Sequence, residues 1–356
     1  MLIEEVYLNW DIKGTFRSHL RKPIFYFLAI FLSAILLGFS FSGIAFSDGS
    51  TITGSTTITP AFEPPCSSNG TCRELDPCAD VDFGQCKAFK GISDLRRELS
   101  GSFGTLDFRA HTVNAKSGKP VSLWHDVPLI ITDDEKGLVV NAFFEISRGT
   151  FAKVELNKWE PHNPMWQDRK KVRNQNFKRP RYYAWSPAPG NYGALPRTWE
   201  NALEEDPITG FPGDTDPIDV IDVGSAASPL GLVYQVKVIG ALGMIDGTDL
   251  ETDWKIFVVN IKDQTAEKIN DISDVPLEIK NRWGIFWRFY KTAKGLNENF
   301  FYDPESPRKV NADPVWLGAK AARKIVLNSA AAYEKLIGEC LNRKVKKPYW
   351  IPGCVP

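Results

Sequence analysis

Gly213-Asp214-Thr215-Asp216-Pro217-Ile218-Asp219-Val220-Ile221-Asp222-Val223-Gly224 is the stretch on which the reading of this chain turns. Three carboxylates, Asp214, Asp216 and Asp219, fall within six residues and repel one another, while Pro217 restrains the backbone between them. Such a turn is either a solvated acidic loop or a set of oxygen ligands for a hard divalent cation, which points to Mg²⁺. The apolar residues Val220, Ile221 and Val223 that follow read as a strand, so the carboxylates sit at a turn against a rigid element and the cation reading gains. An EF-hand loop fits poorly, because the glycine after the third ligand and the closing glutamate are both missing.

Two more acidic clusters lie on either side. Asp246, Asp249, Glu251 and Asp253 precede Lys255, and Glu145 precedes Lys153 and Glu155. Lys153 and Glu155 are two apart, as are Asp253 and Lys255, so on a strand each pair faces one side. Any one cluster alone reads equally as surface ion pairing; three on one scaffold fit metal ions and phosphate bound together. Short apolar runs at 129–131, 138–145, 152–156, 220–223, 232–239 and 255–259, separated by turns, suggest a small, closed, mostly antiparallel barrel. Helical spacing appears at 275–292, with Trp283, Phe286, Trp287 and Tyr290 on one face, and at 314–340, with Leu317, Ala321 and Ile325 recurring. No internal repeat is found. The fold class expected is α+β, mainly β, with one barrel-plus-helices domain over 101–345.

Composition narrows the function. The 356 residues are 43% hydrophobic, enough for a sizeable core, and Lys+Arg and Asp+Glu both number 43. That balance argues against a general nucleic-acid or polybasic membrane binder, while leaving room for a local cationic pocket. Arg17, Arg21 and Lys22 precede a charge-free stretch, 23–46, long enough to cross a bilayer, and basic residues on that flank keep the tail 1–22 cytoplasmic. The stretch is a signal-anchor or, with Gly43-Ile44-Ala45 as a cleavage site, a signal peptide. With the Ser/Thr-rich run after it, a two-part plastid presequence is a further alternative. Residues 47–100 read as a stalk holding Cys66, Cys72, Cys78 and Cys86, and Cys340 and Cys354 flank the tail 346–356. Disulfides in an oxidising lumen are the natural reading over zinc, since the spacings are too long for a knuckle, and Asn69-Gly70-Thr71 is a glycosylation sequon. Because no cysteine lies between 101 and 330, reduction is expected to leave catalysis largely intact.

Several motifs now carry a resemblance. Trp124-His125-Asp126-Val127-Pro128-Leu129, Glu145-Ile146-Ser147-Arg148, Ala152-Lys153-Val154-Glu155, Asn191-Tyr192-Gly193-Ala194-Leu195-Pro196-Arg197-Thr198-Trp199-Glu200, the stretch 213–224, Glu251-Thr252-Asp253-Trp254-Lys255 and Phe289-Tyr290-Lys291 together resemble the family I soluble inorganic pyrophosphatases of eukaryotic type. The resemblance covers about residues 105–340. It implies a five-stranded OB-like closed barrel with peripheral helices, and hydrolysis of pyrophosphate to two phosphates with two to four Mg²⁺ ions. It also implies that Asp214, Asp219 and Asp253 bind the first Mg²⁺, with Asp219 shared with a second, and that Asp216 is the general base. Glu155 and Asp246 would hold the ions that arrive with substrate. Lys153, Arg181, Tyr290 and Lys291 would bind phosphate oxygens, and Glu145, Arg148, Tyr192 and Lys255 would line the pocket. Three departures are visible. A shortened segment before Asn191 leaves Arg179 or Lys178 as alternatives to Arg181, Ala188 replaces a usual tyrosine, and two extra residues leave Asp249 as an alternative to Asp246.

The chemistry accounts for the number of groups. Pyrophosphate repels a hydroxide nucleophile, so its charge must be neutralised before attack; a water acidified by metal then needs only a proton acceptor, and no covalent intermediate is required. Two rivals remain: a lumenal glycosyltransferase using a D-x-D with a metal and nucleotide-sugar, and a non-catalytic OB-like binding module. The first would need strands alternating with helices, whereas this chain places strands first and helices last. The second would have lost its carboxylates. The partners implied are pyrophosphate, no nucleic acid, and a membrane if the N-terminal stretch is uncleaved; self-association is left open.

Overall fold

Side chains that alternate about a strand set the framework, which the computed structural model describes for residues 91–172, 176–344 and 348–354. The strands Gly137–Ile146 (β1), Asn191–Ala194 (β2), Asp219–Asp222 (β3), Val233–Ile245 (β4) and Thr252–Asn260 (β5) form a hydrogen-bonded ring. Pairing is antiparallel from β1 to β2, β2 to β3, β5 to β4 and β4 back to β1, and parallel only between β3 and β5. The mainly β expectation therefore holds, with the five strands present as a closed ring. Gly193 is what lets β2 join it: a Cβ there would lie 2.0 Å from the Phe143 carbonyl oxygen, where the β1–β2 register also shifts. No periodic signal marks β2, which is short and carries Asn191 and Tyr192.

Both faces of the ring are covered. On one, Val140, Ala142, Phe144, Val220, Val236, Val238, Ile256 and Val258 pack with Ala322, Ile325 and Val326 of the helix Ala319–Gly338 (α2). On the other, Ile221, Ile239, Met244, Phe257 and Val259 pack against Trp283, Phe286 and Trp287 of the helix Leu277–Phe289 (α1). The predicted aromatic stripe of α1 is therefore its buried face, and Tyr290 caps its end. For α2 the expectation shifts. Residues 316–318 form a strand that pairs Gly240↔Gly318 on β4, and the helix begins only at Ala319, whose N–H is accepted by Asp271 at 2.7 Å. Its buried face is Ala322, Ile325, Val326, Ser329, Tyr333 and Leu336 rather than Leu317 and Ala321. Backbone groups of β4 at residues 240–242, beyond the reach of its pairing with β1, captured Trp316 and Leu317, which local spacing assigned to the helix.

A second sheet runs Leu95–Ser100, Arg109–Asn114, Met165–Gln167, Val154–Leu156, with Pro120–Val121 at its side. Its first strand lies before residue 101. Among the described residues no helix is long and apolar enough to cross a membrane. The stretch 23–46, the stalk cysteines Cys66, Cys72, Cys78 and Cys86, and Asn69 lie outside the described residues. Cys340 and Cys354 are joined by a disulfide, Cα–Cα 5.8 Å.

Candidate active site

Asp219 opens β3 and stands in register with Lys255 on parallel β5, two residues beyond Asp253. The buried Lys255 ammonium donates to both Asp219 and Asp253, and the Tyr192 hydroxyl on β2 donates to the same Asp219 oxygen. The side chains of Tyr192 and Trp287 flank that ammonium, 5.5 and 4.4 Å from ring centroid to Nζ. The period-two pair expected from the sequence is thus an ion pair.

The acidic turn is held from beneath by residue 200. A Cβ on Gly213 would lie 2.4 Å from the Glu200 carbonyl carbon, so only glycine lets the two backbones approach. Thr215 then takes φ 77°, unusual for a β-branched residue, with its N–H bonded to the Glu200 carbonyl at 3.0 Å. Asp214 accepts from the Asp216 N–H at 2.9 Å, which leaves the Asp216 carboxylate half-exposed, 48%. Glu200 accepts from Trp254 N–H through Oε1 at 2.8 Å, while its buried Oε2 has no partner among the described residues. Oxygens of Glu200, Asp214 and Asp253 lie within 4.8 Å of one another. An all-oxygen set with an unsatisfied buried acceptor fits a hard divalent cation.

The electrostatics state the same demand. Burial, then the charges of Asp216, Asp253 and Asp219, push the Asp214 carboxyl well above its usual range. Burial, then Asp214, Asp253 and Asp219, does the same to Glu200. Asp219 is pushed up to about 8 by burial, with Lys255 opposing and Asp253 adding. Glu145, which accepts from Leu156 N–H at 2.7 Å, is raised by burial and by Asp219. So many carboxylates in a dry space favour protonation until cations replace the protons.

Opposite stands a cationic set. Lys153 pairs with Glu155 at 2.5 Å and Asp168 at 3.2 Å, and Arg181 pairs with Asp168 at 2.9 Å. Burial alone would lower the Lys153 ammonium, but Asp168 and Glu155 hold it well above its usual value. Lys291 pairs with Asp246, and the buried Tyr290 has its phenol raised by burial, with Lys291, Lys255 and Lys153 opposing. A half-buried Lys294 is lowered to about 8 by burial and then by Arg181, Lys170 and Lys153, the repulsion expected where an anion belongs. Glu145, Lys153, Glu155, Tyr192, Asp216 and Asp219 line a cavity of about 110 Å³ between the two sets. A larger hollow of about 240 Å³ lies behind Glu200, beside Trp199, Trp254 and α2. Its rim carboxylates are already engaged, Glu204 with Lys335 at 3.6 Å and Glu205 with Arg308, so the chemistry belongs to the smaller space.

Most positions expected from the sequence converge here. Arg181 reaches Asp168 and Lys153, whereas Lys178 is exposed, with Arg179, on a hairpin. Asp246 is paired with Lys291, whereas Asp249 is exposed and offers its N–H to Asp246 at 3.3 Å. Arg148 goes elsewhere: the chain turns at Gly149, φ 80°, and the guanidinium donates to the Gly224 carbonyl at the far end of β3, near Asp222 and Asp263. Glu200, Lys158, Asp168 and Lys294 also belong to the site, and no local spacing marks them. Glu200 closes the 191–200 motif, but nothing local places it beside residues 214 and 253.

Known proteins resemble this chain in sequence and in fold. The family model for inorganic pyrophosphatase matches residues 142–334, a span that contains every site position named above. An inorganic pyrophosphatase of Debaryomyces hansenii is 38% identical over 257 residues, covering 68% of this chain and 80% of that relative. The crystal structure of a type I inorganic pyrophosphatase from Toxoplasma gondii is similar at TM-score 0.60 and 34% identity, over 68% of this chain and 99% of that one. A truncated vacuolar soluble pyrophosphatase of Trypanosoma cruzi, solved in complex with PPi, is similar at TM-score 0.59 and 30% identity, over 75% and 100%. With a family model, a curated relative and solved structures in accord, the chain belongs to the inorganic pyrophosphatase family.

Proposed function

We propose that this protein hydrolyses inorganic pyrophosphate to two phosphates with two to four Mg²⁺ ions, by direct attack of water and without a covalent intermediate. The observation that carries this is a small cavity that Asp216 and Asp219 line together with Lys153 and Glu155, backed on one side by the carboxylates of Asp214, Asp253 and Glu200 and on the other by Arg181, which shares Asp168 with Lys153. Asp214, Asp219 and Asp253, supported by Glu200, would hold the first ion, and Asp246 and Glu155 the ions that enter with substrate. Magnesium, when bound, supplies charge neutralisation and acidifies water. Lys153, Arg181, Tyr290 and Lys291 bind phosphate oxygens, exchanging the carboxylate partners they hold in the free site. Asp216, half-exposed on the cavity, accepts the proton of the attacking water. Lys255 and Tyr192 keep Asp219 oriented, and Glu145 pins the strand that carries Lys153 and Glu155.

The test is phosphate release from the purified, oxidised full chain in Mg²⁺. Turnover is expected, and its absence from well-folded protein overturns the proposal.

We also propose that 23–46 is a membrane or targeting segment which places the catalytic domain in a lumen. Its support is the charge-free length behind Arg17, Arg21 and Lys22, together with the Cys340–Cys354 bond, a feature of oxidising compartments. Mass spectrometry of native protein alkylated at harvest reads both the mature N-terminus and the thiols. Six alkylated cysteines would reject the lumenal placement.

A further inference from the structure

Lys158 and the C-terminal segment form an arrangement that the reaction scheme above leaves unused. Lys158 lies just past the strand Val154–Leu156, with its side chain only 9% exposed. Its ammonium donates to the Thr215 carbonyl at 3.1 Å and hydroxyl at 3.0 Å, and it is ion-paired with Asp216. Two rings confine it, with centroids 5.7 Å away for Trp159 and 5.2 Å for Tyr349. Tyr349, 3% exposed, comes from the C-terminal segment and packs edge-on to Trp124 at 5.7 Å. The next residue, Trp350, donates its N–H to the Lys158 carbonyl at 2.8 Å, and its own carbonyl meets His125 Nε2 at 3.2 Å. Four residues later the segment is bonded back to the end of α2 through Cys354–Cys340.

We propose that Lys158 is a positioning residue for Asp216, and that residues 348–354, clasped by the Cys340–Cys354 disulfide, hold Lys158 in place, so that the state of this bond sets the rate of hydrolysis. The proposal rests on the pyrophosphatase reading with Asp216 as proton acceptor. A long, flexible lysine side chain adopts one geometry here only because its stem and head are enclosed by Trp159, Tyr349 and the residue 215 turn. Remove the clasp and one ring and one backbone hydrogen bond are freed, and the half-exposed Asp216 loses its fixed partner. Lys158 lines the same cavity as Lys153, but its ammonium is taken up by Thr215 and Asp216 while Lys153, Arg181 and Lys291 grip substrate, so the effect belongs in kcat rather than KM. Reduction by a dithiol breaks the S–S bond, yields two thiols, and converts the dithiol to its own disulfide. The insensitivity to reduction expected from cysteine positions alone overlooks this clasp, because residue 349 lies far from the site in sequence.

The experiment measures kcat and KM on the folded full chain at saturating Mg²⁺, for oxidised wild type, dithiol-treated wild type and Cys340→Ser/Cys354→Ser. Reduction and the double variant are each expected to lower kcat about 3- to 10-fold with KM nearly unchanged, a fraction of the 10²-fold that a 1 Å misplacement costs. Reductant should have no further effect on the double variant, which separates this bond from the stalk cysteines. Lys158→Met should lower kcat more, about 10- to 100-fold, and Lys158→Arg should recover part of the loss. If Lys158→Met does not fold, Tyr349→Leu and the cysteine pair decide. Unchanged kcat on bond cleavage, a lowered melting temperature alone, or a loss confined to KM each overturns the proposal. An inactive oxidised wild type overturns the pyrophosphatase reading itself, whereas an active enzyme indifferent to cleavage overturns only this inference.

Discussion

The two ends of β3 each bury an aspartate, and their surroundings differ. Asp222 accepts from Gly224 N–H at 2.9 Å, Asn260 N–H at 3.3 Å and Asn191 Nδ2 at 3.0 Å. Asp219 instead depends on the Lys255 ammonium and the Tyr192 hydroxyl, with Asp253 crowding it. Burial raises both carboxyls, but neutral donors oppose the rise at Asp222 and a full cation opposes it at Asp219. A buried carboxylate saturated by neutral donors is a strut; one balanced between a cation and other carboxylates is poised to take a metal. Carboxylate count and burial alone would not have separated the two.

The largest effects are expected at the Asp219 end, next to the acidic turn. Asp216→Asn should lower kcat by about 10²- to 10⁴-fold while Mg²⁺ affinity is kept, because the proton acceptor goes and the ligands stay. Asp219→Asn should weaken Mg²⁺ binding itself, read by titration calorimetry. Equal Mg²⁺ affinities in the two variants would erase the division of roles.

At the other end the sign of the outcome reverses. Asp222→Asn sets an amide donor against neighbouring donors and should cost about 1–3 kcal/mol of stability with kcat nearly unchanged. A thermal melt together with the phosphate-release assay reads both quantities. Loss of rate without loss of stability would make Asp222 part of the chemistry.

His125 extends the contrast through pH alone, for it is a buried titratable group with neutral partners, Tyr333 hydroxyl at 2.9 Å and the Trp350 carbonyl. Burial lowers its pKa to about 4, with the Trp350 contact opposing. The folded imidazole thus stays neutral where the unfolded one, near 6.5, gains a proton, so between those values the unfolded state binds more protons and stability rises with pH. The melting temperature should fall as pH drops from 6.5 towards 4, by at most about 3 kcal/mol in stability, and His125→Gln should flatten that slope. An identical slope in the variant would assign the acid sensitivity to other groups.

Features whose cause is local are legible in the chain. Three carboxylates around Pro217 force a ligand-like turn, two-residue spacing puts Lys153 with Glu155 and Asp253 with Lys255, and Trp283, Phe286 and Trp287 recur at helical spacing; each is satisfied in the fold. Tertiary structure decided what depends on distant chain. Glu200 meets Trp254 across 54 residues and Lys158 meets Asp216 across 58, and neither pair has a periodicity to betray it. The start of α2 at Ala319 was set by pairing with β4 and by the Asp271 carboxylate, 48 residues away, overriding spacing that ran on from 314. Arg148, next to the turn at Gly149, reaches the far end of β3 from the pocket, and Tyr349 meets Lys158 from a C-terminal segment that is bonded to Cys340. Local repulsion and side-chain period are written in neighbouring residues, whereas the burial that gives Glu200 and Lys158 their character exists only once the ring has closed.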